Sequence, residues 1–271
     1  MPVTLTDKQI EDYRAEGAVL LSGLLKDWVE RIAAGIERNM REPGPYASEN
    51  LKEGESGRFF DDYCNWQRIP EFTDLIYNSP VAETAAQLMG SGTAQFFHDH
   101  VLVKEPGTSK PTPWHQDAPY YFVDGEHTVS FWIPVEPVEE ATLRCIAGSH
   151  RWAKLVTPMR WLSEQNFYPG AQDYLPVPDP DREPGTHRVL EWPMRPGDAI
   201  AFHYKTVHGA RGNMSARRRR AFSMRWIGDD ARYVTRPGRT SPPFPGHGMV
   251  EGQRLREDWF PVVWPAVECR T

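Results

Sequence analysis

His115 and Asp117 form a His-x-Asp pair, and no other His-x-Asp/Glu pair occurs in the sequence. The pair lies between two predicted strands, where side chains at positions i and i+2 point to the same side. An imidazole and a carboxylate that converge in this way can bind one metal ion. With 9 histidines and 37 acidic residues, roughly one such pair is expected by chance, so the interpretation depends on a further ligand.

A third ligand is expected from a later strand. Residues 196–203 read PGDAIAFH, a turn followed by an apolar strand, and His208 with Gly209 comes shortly afterwards. Two imidazoles and one carboxylate on one face of a metal ion leave the opposite positions open, which is typical of O2-activating iron(II) enzymes. The pattern therefore predicts an iron(II) site formed by His115, Asp117 and His208.

An arginine follows the third ligand at a position that suits a co-substrate. An oxygenase that uses 2-oxoglutarate with O2 needs a cation for the distal carboxylate, and the arginine fork binds a carboxylate bidentately. Arg219 lies eleven residues after His208, within the basic run Arg217–Arg220. Strand alternation points Arg219 inward and Arg218 and Arg220 outward. We expect Arg219 to bind 2-oxoglutarate and its neighbours in the run to be solvated.

The composition is that of a globular protein with a sizeable core. Of the 271 residues, 39% are hydrophobic and 25% are charged, which excludes disordered and fibrous proteins. A formal net charge of −6 argues against a nucleic-acid partner. The N-terminus lacks a signal-peptide pattern and no apolar stretch reaches transmembrane length, so we expect a cytoplasmic protein without a membrane partner. The cysteines are expected to be reduced: Cys64, Cys145 and Cys269.

Residues 1–93 are predicted to be mainly helical, with one buried strand at Ala18–Leu21. A capping box begins a first helix at Thr6. A later helix has Ser79 as its predicted N-cap, Pro80 at its first position and Gly90 just past its end. We expect these helices to flank a single domain that spans the whole chain.

Residues 94–227 change to the short period of β-strands. Many short strands separated by Pro and Gly turns favour an antiparallel sandwich or barrel, so the predicted fold class is mainly β with flanking helices. Residues 228–271 are expected to form a C-terminal covering segment. The predicted strands are Gln95–Lys104, Thr128–Val135, Leu143–Ala147, Arg188–Trp192, Ala199–Phe202 and Ala221–Ile227.

Two long segments fit no regular structure. One covers residues 151–185 and carries several aromatic residues, and the other is the proline-rich stretch 236–260. Long ordered loops are often lids or binding loops. Both interpretations stay open for each segment: a lid over the site, or a surface cover without a role.

Four segments, in combination and in order, resemble the phytanoyl-CoA dioxygenase family. The resemblance extends from the first helix to about Ile227. It implies a double-stranded β-helix core of the jelly-roll, cupin-like type that binds iron(II) and 2-oxoglutarate. The segments are HQD at 115–117, ATLRCIAGSHRW at 141–152, RPGDAIAFH at 195–203, and HGARGN at 208–213 followed by RRRRAF at 217–222.

The resemblance assigns roles residue by residue. It gives the three iron ligands and Arg219 the roles described above, places Trp132 beside the co-substrate, and puts His100 in the co-substrate pocket. The chain departs from the family at Ala210, where relatives often have a serine that can bond 2-oxoglutarate. That contact is therefore lost or made elsewhere.

Aromatic and charged residues near the ligand pair are candidates for the substrate site. Trp114, Tyr120 and Tyr121 flank the pair, and each is interpreted either as a pocket wall or as core. The same two interpretations apply to Trp226 and Trp132. Arg58 precedes the first strand of the roll, where a cation can face the pocket.

Two further features receive bland interpretations. His98 and His100 form a His-x-His pair, but no second half with the matching cupin spacing follows, so a structural or pocket-lining role is favoured over metal binding. Lys104, at the end of a predicted strand, is expected to be a surface lysine.

These patterns predict an Fe(II)- and 2-oxoglutarate-dependent dioxygenase that hydroxylates an unactivated C–H bond of a small molecule. The alternatives are an oxygenase of the same type that catalyses desaturation, cyclisation or halogenation, and a non-catalytic β-roll that binds a metal or ligand. Asp117 weakens halogenation, because halogenases of similar fold have a small residue in place of the carboxylate ligand. The sequence indicates neither the primary substrate nor the oligomeric state.

Overall fold

Four helices lie in the N-terminal part of the chain in the computed structural model, which describes residues 3–265. They are α1 (Asp7–Glu16), α2 (Val29–Arg41), α3 (Pro70–Asn78) and α4 (Val81–Met89). The expected capping box starts α1, since Thr6 Oγ1 accepts a hydrogen bond from Gln9 N at 3.2 Å and the Gln9 side chain accepts from Thr6 N at 2.9 Å. The helix ends at Gly17, whose φ of 77° favours glycine.

The described part of the chain contains fourteen strands. They are β1 (Ala18–Leu21), β2 (Ser48–Glu49), β3 (Phe59–Tyr63), β4 (Ala94–Lys104), β5 (Thr112–His115), β6 (Val123–Asp124), β7 (Thr128–Pro134), β8 (Leu143–Ile146), β9 (Val189–Glu191), β10 (Ala199–Phe202), β11 (His208–Ala210), β12 (Arg219–Ile227), β13 (Arg232–Tyr233) and β14 (Val262–Trp264).

The strands form two main antiparallel sheets. The larger has the order β1-β10-β7-β12-β4-β3-β2, with β14 added on β4, and the smaller has the order β5-β11-β8-β9. A third, two-stranded sheet joins β13 and β6. Side chains from both main sheets meet in one buried cluster that includes Leu102 and Trp132 from the larger sheet and Cys145 from the smaller. The fold is the expected double-stranded β-helix.

The helices cover the outer face of the larger sheet. Ile36 of α2 and Leu75 of α3 are fully buried in the same cluster as Phe222 and Met224 of β12. The rings of Phe72 and Phe222 stack with centroids 4.2 Å apart. Burying one such side chain contributes about 1.5–3 kcal/mol. This outer core holds the larger sheet rigid and leaves its other face free for the site.

Strand β12 runs between β4 and β7 and carries the alternation that matters for the site. Ala221 lies in the cluster between the two sheets, whereas Phe222, Met224 and Trp226 lie in the helix-covered core. Because side chains alternate along a strand, Arg219, Ala221, Ser223 and Arg225 share the inner face.

The predicted elements agree with the structure to within a few residues. All seven predicted strands are present, and the Arg195–Asp198 turn forms a hydrogen bond from Asp198 N to Arg195 O at 3.0 Å. Gly90 ends α4 as expected, but Pro80 is its N-cap instead of Ser79, so the helix begins one residue later than predicted. Helix α3, which starts with a proline, was not anticipated.

The predicted strand β1 joins the larger sheet, and so do β2 and β3, which were not predicted, so the N-terminal part is less helical than expected. Cys64 and Cys145 are free thiols, and Cys269 lies outside the described residues. Within residues 3–265 no helix has the length and apolar character needed to cross a membrane. The division into one domain with the boundaries given above stays a prediction.

Candidate metal centre and its cavity

Strands β5 and β11 bring two histidines together. His115 ends β5 and is the antiparallel register partner of His208 in β11, with ring centroids 4.2 Å apart. Asp117 does not continue the strand, as the i, i+2 argument assumed. It has helical dihedral angles (φ −71°, ψ −42°) at the start of a short 3-10 turn. The turn nevertheless directs its Oδ1 toward the histidines, 3.9 Å from His115 Nε2 and 3.8 Å from His208 Nε2.

Backbone carbonyls set the tautomer of both histidines. His115 Nδ1 donates to Pro113 O at 2.7 Å, and His208 Nδ1 donates to Thr206 O at 2.9 Å. Because a carbonyl oxygen only accepts, the proton is on Nδ1 and the Nε2 lone pair is free. Burial lowers the pKa of His115 to about 3 and that of His208 below its usual value. Both rings are therefore neutral at neutral pH, which is the form that binds metals.

Asp117 is held through its other carboxylate oxygen. Ser130 Oγ donates to Oδ2 at 2.9 Å, and Arg225 Nε lies 3.4 Å from the same atom. Burial acts to raise the pKa of Asp117, but the charge of Arg225 and the hydrogen bond from Ser130 act against it, and that pKa lies well below its usual range. The carboxylate is therefore ionised, with Oδ1 directed at the free lone pairs of the histidines.

These three side chains suit a non-haem iron(II) ion. Their ligand atoms all lie within 4.8 Å of one another, and the three residues are buried. Across residues 3–265 they are the one group of three or more His, Cys, Asp or Glu side chains with this geometry. Two neutral imidazoles and one carboxylate form the facial set that leaves positions open for other ligands.

Arg219 is buried between the sheets. Its Cζ lies 5.5 Å from the ring centroid of Trp132, and its Nε and Nη2 have no hydrogen-bond partner among the described residues. Burial lowers the pKa of Arg219 to about 10, so it stays charged at neutral pH. A buried arginine without a partner costs free energy until an anion binds. Arg219 and Trp132 therefore have the properties that a co-substrate carboxylate requires, although neither lines the cavity described below.

Lys104 is fully buried, contrary to the expected surface position. It is the register partner of Arg219, its Nζ donates to Arg211 O at 3.1 Å, and it lies 4.5 Å from the centroid of the Phe59 ring. Burial, and then the charge of Arg219, hold the pKa of Lys104 well below its usual value. The inner end of β12 thus brings Arg219 and Lys104 together, and no carboxylate within residues 3–265 contacts either side chain.

A cavity of about 400 Å³ opens beside the three candidate ligands. His115, Asp117 and Arg225 line its floor. The segment 151–185 contributes a wall centred on Trp161, whose ring centroid lies 5.2 Å from that of His115. The segment 236–260 contributes Ser241 and Pro242. Both long segments therefore border the cavity, which favours the lid interpretation over a surface cover.

Three sequence candidates line this cavity: His100, Tyr120 and Tyr121. His100 Nε2 donates to Asp61 Oδ2 at 2.8 Å, and its ring is stacked over Trp161 with centroids 6.1 Å apart. Tyr120 Oη donates to Met159 O at 2.7 Å and so ties the cavity wall to segment 151–185. The aromatic candidates are both wall and core, because each is also buried.

Three other candidates lie away from the cavity. Arg58 is half exposed and pairs with Glu49 at 2.7 Å on the outside of the sheet. Trp114 has the opposite strand parity from His115, and its Nε1 donates to Asp181 Oδ2 at 3.3 Å. Trp226 packs under the helices, in T-shaped contact with Phe96. These residues were chosen because they lie close to site residues in the sequence. Neighbouring residues of a strand point to opposite faces, so closeness in the sequence did not bring them to the cavity.

The sequence interpretation missed Arg225, Ser130 and Asp61 as site residues. Arg225 shares the inner face with Arg219, so extending the same alternation by six residues finds it. Ser130 follows from the alternation of β7 in the same way. Asp61 carried no signal, because it lies in β3, a strand that was not predicted.

Sequence comparison relates the chain to known enzymes. The profile of the family "Phytanoyl-CoA dioxygenase (PhyH)" matches residues 13–221. The chain is 30% identical over 256 residues to phytanoyl-CoA dioxygenase, peroxisomal, of Rattus norvegicus, covering 86% of this chain and 72% of that protein. It is 27% identical over 213 residues to the probable phytanoyl-CoA dioxygenase of Caenorhabditis elegans, covering 72% of this chain and 62% of that protein.

Structural comparison agrees with the fold. The carbocyclase SnoK from nogalamycin biosynthesis, a non-haem α-ketoglutarate-dependent enzyme, superposes with a TM-score of 0.74 at 24% identity, covering 97% of this chain and 99% of that one. EctD from S. alaskensis, crystallised with 2-oxoglutarate and 5-hydroxyectoine, has a TM-score of 0.68 at 18% identity, covering 93% of this chain and 86% of that one. From the match over residues 13–221 and the rat relative, the chain belongs to the phytanoyl-CoA dioxygenase family.

Proposed function

We propose that this protein is an Fe(II)- and 2-oxoglutarate-dependent dioxygenase that hydroxylates a C–H bond of a small organic molecule. The observation that carries the proposal is the buried triad with two free Nε2 lone pairs and one ionised carboxylate. Membership of the phytanoyl-CoA dioxygenase family supports it. A β-roll that binds only a metal is disfavoured, since it has no need of a buried arginine whose Nε and Nη2 have no partner within residues 3–265.

His115, Asp117 and His208 would hold the iron, and Arg219 would hold the distal carboxylate of 2-oxoglutarate beside Trp132. When bound, iron and 2-oxoglutarate supply the oxidation of the substrate by O2, with release of succinate and CO2. The backbone bonds to the two Nδ1 atoms keep the imidazoles oriented before any ligand arrives. The segments 151–185 and 236–260 would exclude water from the cavity.

The substrate is proposed only as a small molecule that fits the cavity. Relatives and neighbours differ in what their names state, from phytanoyl-CoA to 5-hydroxyectoine and nogalamycin RO. Hydroxylation is favoured over halogenation because the carboxylate ligand Asp117 is present. Desaturation and cyclisation use the same kind of iron site, and product analysis separates them from hydroxylation. A cytoplasmic location stays a prediction, and the rat relative is named as peroxisomal.

The test is an anaerobic titration of the protein with Fe(II) and 2-oxoglutarate, followed by the weak visible charge-transfer absorption of the chelate. We expect absorption that needs both components and is lost in His208→Ala. The matched control is His187→Ala, a histidine that packs against Trp152 away from the triad. Folded wild-type protein that gives no absorption, or a His208→Ala variant that keeps it, would overturn the proposal.

A further inference from the structure

Arg225 is the second buried arginine on the inner face of β12, and its position invites a role of its own. It is 4% exposed, and it lines the cavity beside Asp117. Its Nε donates to Tyr121 Oη at 3.0 Å, while its Nη1 has no partner among the described residues. A guanidinium has five N–H donors, so the contacts with Tyr121 and Asp117 leave terminal donors free.

Arg225 contacts the carboxylate oxygen of Asp117 that does not face the histidines. Ser130 and Arg225 both hold Oδ2, which leaves Oδ1 to face the histidines. A metal ion held by Oδ1 and the two Nε2 atoms would keep positions open for other ligands. Arg225 contacts the carboxylate that would hold this ion, so its free donors are candidates to bind an anionic oxygen beside the metal.

The two inner arginines of β12 lie at different positions along the strand. Six residues separate them, or roughly 20 Å at about 3.3 Å per residue. The guanidinium of Arg219 lies against the ring of Trp132, whose backbone pairs with Ser223, a residue between the two arginines in the sequence. Arg225 pairs with Ser130, two residues before Trp132. One short dicarboxylic acid can contact both guanidinium groups where the two long side chains extend toward each other along the strand.

We propose that Arg225 is a second 2-oxoglutarate arginine, which binds the carboxylate of the keto-acid end beside the metal while Arg219 binds the distal carboxylate. This inference rests on the proposed function. Arg225 contacts the co-substrate and also positions Asp117, so it couples the metal ligand to the group that chelates the metal. Sequence patterns for the distal arginine do not include it.

The test separates the two ends of the co-substrate. Affinities for 2-oxoglutarate and for 2-oxopentanoate, which keeps the keto-acid end but lacks the distal carboxylate, are measured anaerobically at saturating Fe(II) by the charge-transfer absorption. In Arg225→Met we expect both affinities to fall by a similar factor, roughly ten- to a hundredfold, as for loss of a charge-assisted hydrogen bond. In Arg219→Met only the affinity for 2-oxoglutarate should fall.

Two controls isolate the direct contact. Ser130→Ala removes the other partner of Asp117 Oδ2 and nothing from the keto acid, so it should weaken Fe(II) binding but leave keto-acid affinity at saturating Fe(II) unchanged. Arg220→Met removes an arginine from the outer face of the same strand and should change neither affinity. Arg225→Lys keeps the charge without the fork, and is expected to recover part of the affinity in a variant that retains the wild-type fold.

The outcomes are distinguishable. If wild-type protein with Fe(II) binds neither keto acid, the proposed function fails. If wild type binds both but Arg225→Met and Arg225→Lys match Ser130→Ala, with altered Fe(II) affinity and unchanged keto-acid affinity, Arg225 only positions Asp117 and the inference is overturned. An effect of Arg225→Met on 2-oxoglutarate but not on 2-oxopentanoate would also overturn it, since that pattern assigns Arg225 to the distal end.

Discussion

The arginines on the two faces of β12 are in opposite states. Arg218 and Arg220, on the outer face, are partly exposed and fully paired. Arg218 forms ion pairs at 2.8–2.9 Å, and Arg220 donates from its backbone N to a carboxylate at 2.8 Å. The carboxylates belong to Glu37, Glu105 and Glu136. These two residues were expected to be solvated, and instead they form an ion-pair cluster over α2.

The inner arginines are buried and only partly satisfied. Arg219 has two nitrogens without partners and Arg225 has one, counting all residues from 3 to 265. A protein does not normally bury unpaired charge, because desolvation costs several kcal/mol per ion. Stability explains the ion pairs on the outer face, whereas we propose that ligand binding explains the inner arginines.

Among the variants that test this difference between the faces, a substitution of Arg219 is expected to have the largest effect on 2-oxoglutarate binding. Replacing it by Met should weaken 2-oxoglutarate binding by roughly a hundredfold, since a charge-assisted contact is worth up to about 3 kcal/mol. The stability of the ligand-free protein should stay the same or rise by about 1 kcal/mol, because a buried unpaired charge is removed. Titration calorimetry with Fe(II)-loaded protein and denaturant unfolding of the apo-protein measure the two quantities.

Arg220→Met is the matched comparison on the outer face. Here 2-oxoglutarate affinity should stay within about twofold of wild type, and stability should fall by about 1 kcal/mol or less, as for partly exposed ion pairs. If Arg219→Met and Arg220→Met changed 2-oxoglutarate affinity and stability in the same way, the difference between the two faces would have no bearing on co-substrate binding.

A smaller effect is expected at Lys104, which adds to the positive charge near Arg219. Its pKa in the folded protein lies well below its unfolded value of 10.5, mainly through burial. The unfolded state therefore binds the lysine proton more tightly than the folded state does. The buried charge destabilises the fold most at pH values below the folded pKa, and this destabilisation vanishes as the pH rises to 10.5. Lys104→Met should be more stable than wild type by about 1 kcal/mol at pH 7, because it has no charge to bury.

The pH dependence provides the check. In denaturant unfolding at pH 7, 9 and 10, the stability difference between Lys104→Met and wild type should shrink as the pH rises. A difference that is constant over this range would assign it to packing of the methionine against Phe59, and not to the lysine charge.

Strand alternation explains how far the sequence could predict the site. It placed Arg219 on the inner face and Arg220 on the outer one, and both assignments agree with their burial and partners. The i, i+2 argument also selected His115 and Asp117, and the structure brings both together with His208, although Asp117 lies at the start of a 3-10 turn and not on the strand. A local sequence pattern contains this information, because successive side chains of a strand point to opposite faces.

Contacts between distant segments could not be predicted in this way. Trp114 and Trp226 lie next to site residues in the sequence but point to the opposite faces of their strands. Asp61 reaches the cavity only because β3 pairs with β4, and the register of such a pairing is not visible in either strand alone. Lys104 was predicted to lie at the surface because strand ends are usually exposed. In the structure the segment that contains Arg211 covers this end of β4.

The smallest effect is expected at Arg58, the cation that sequence position placed in the pocket. Its side chain is 42% exposed and pairs with Glu49, which is 51% exposed. An exposed pair of this kind contributes about 0.2–1 kcal/mol, so Arg58→Ala should lower stability by no more than that and leave Fe(II) and 2-oxoglutarate binding unchanged. A tenfold loss of 2-oxoglutarate affinity in Arg58→Ala would contradict this difference between arginines. An exposed, paired arginine would then contribute to co-substrate binding as a buried, unpaired one is expected to do.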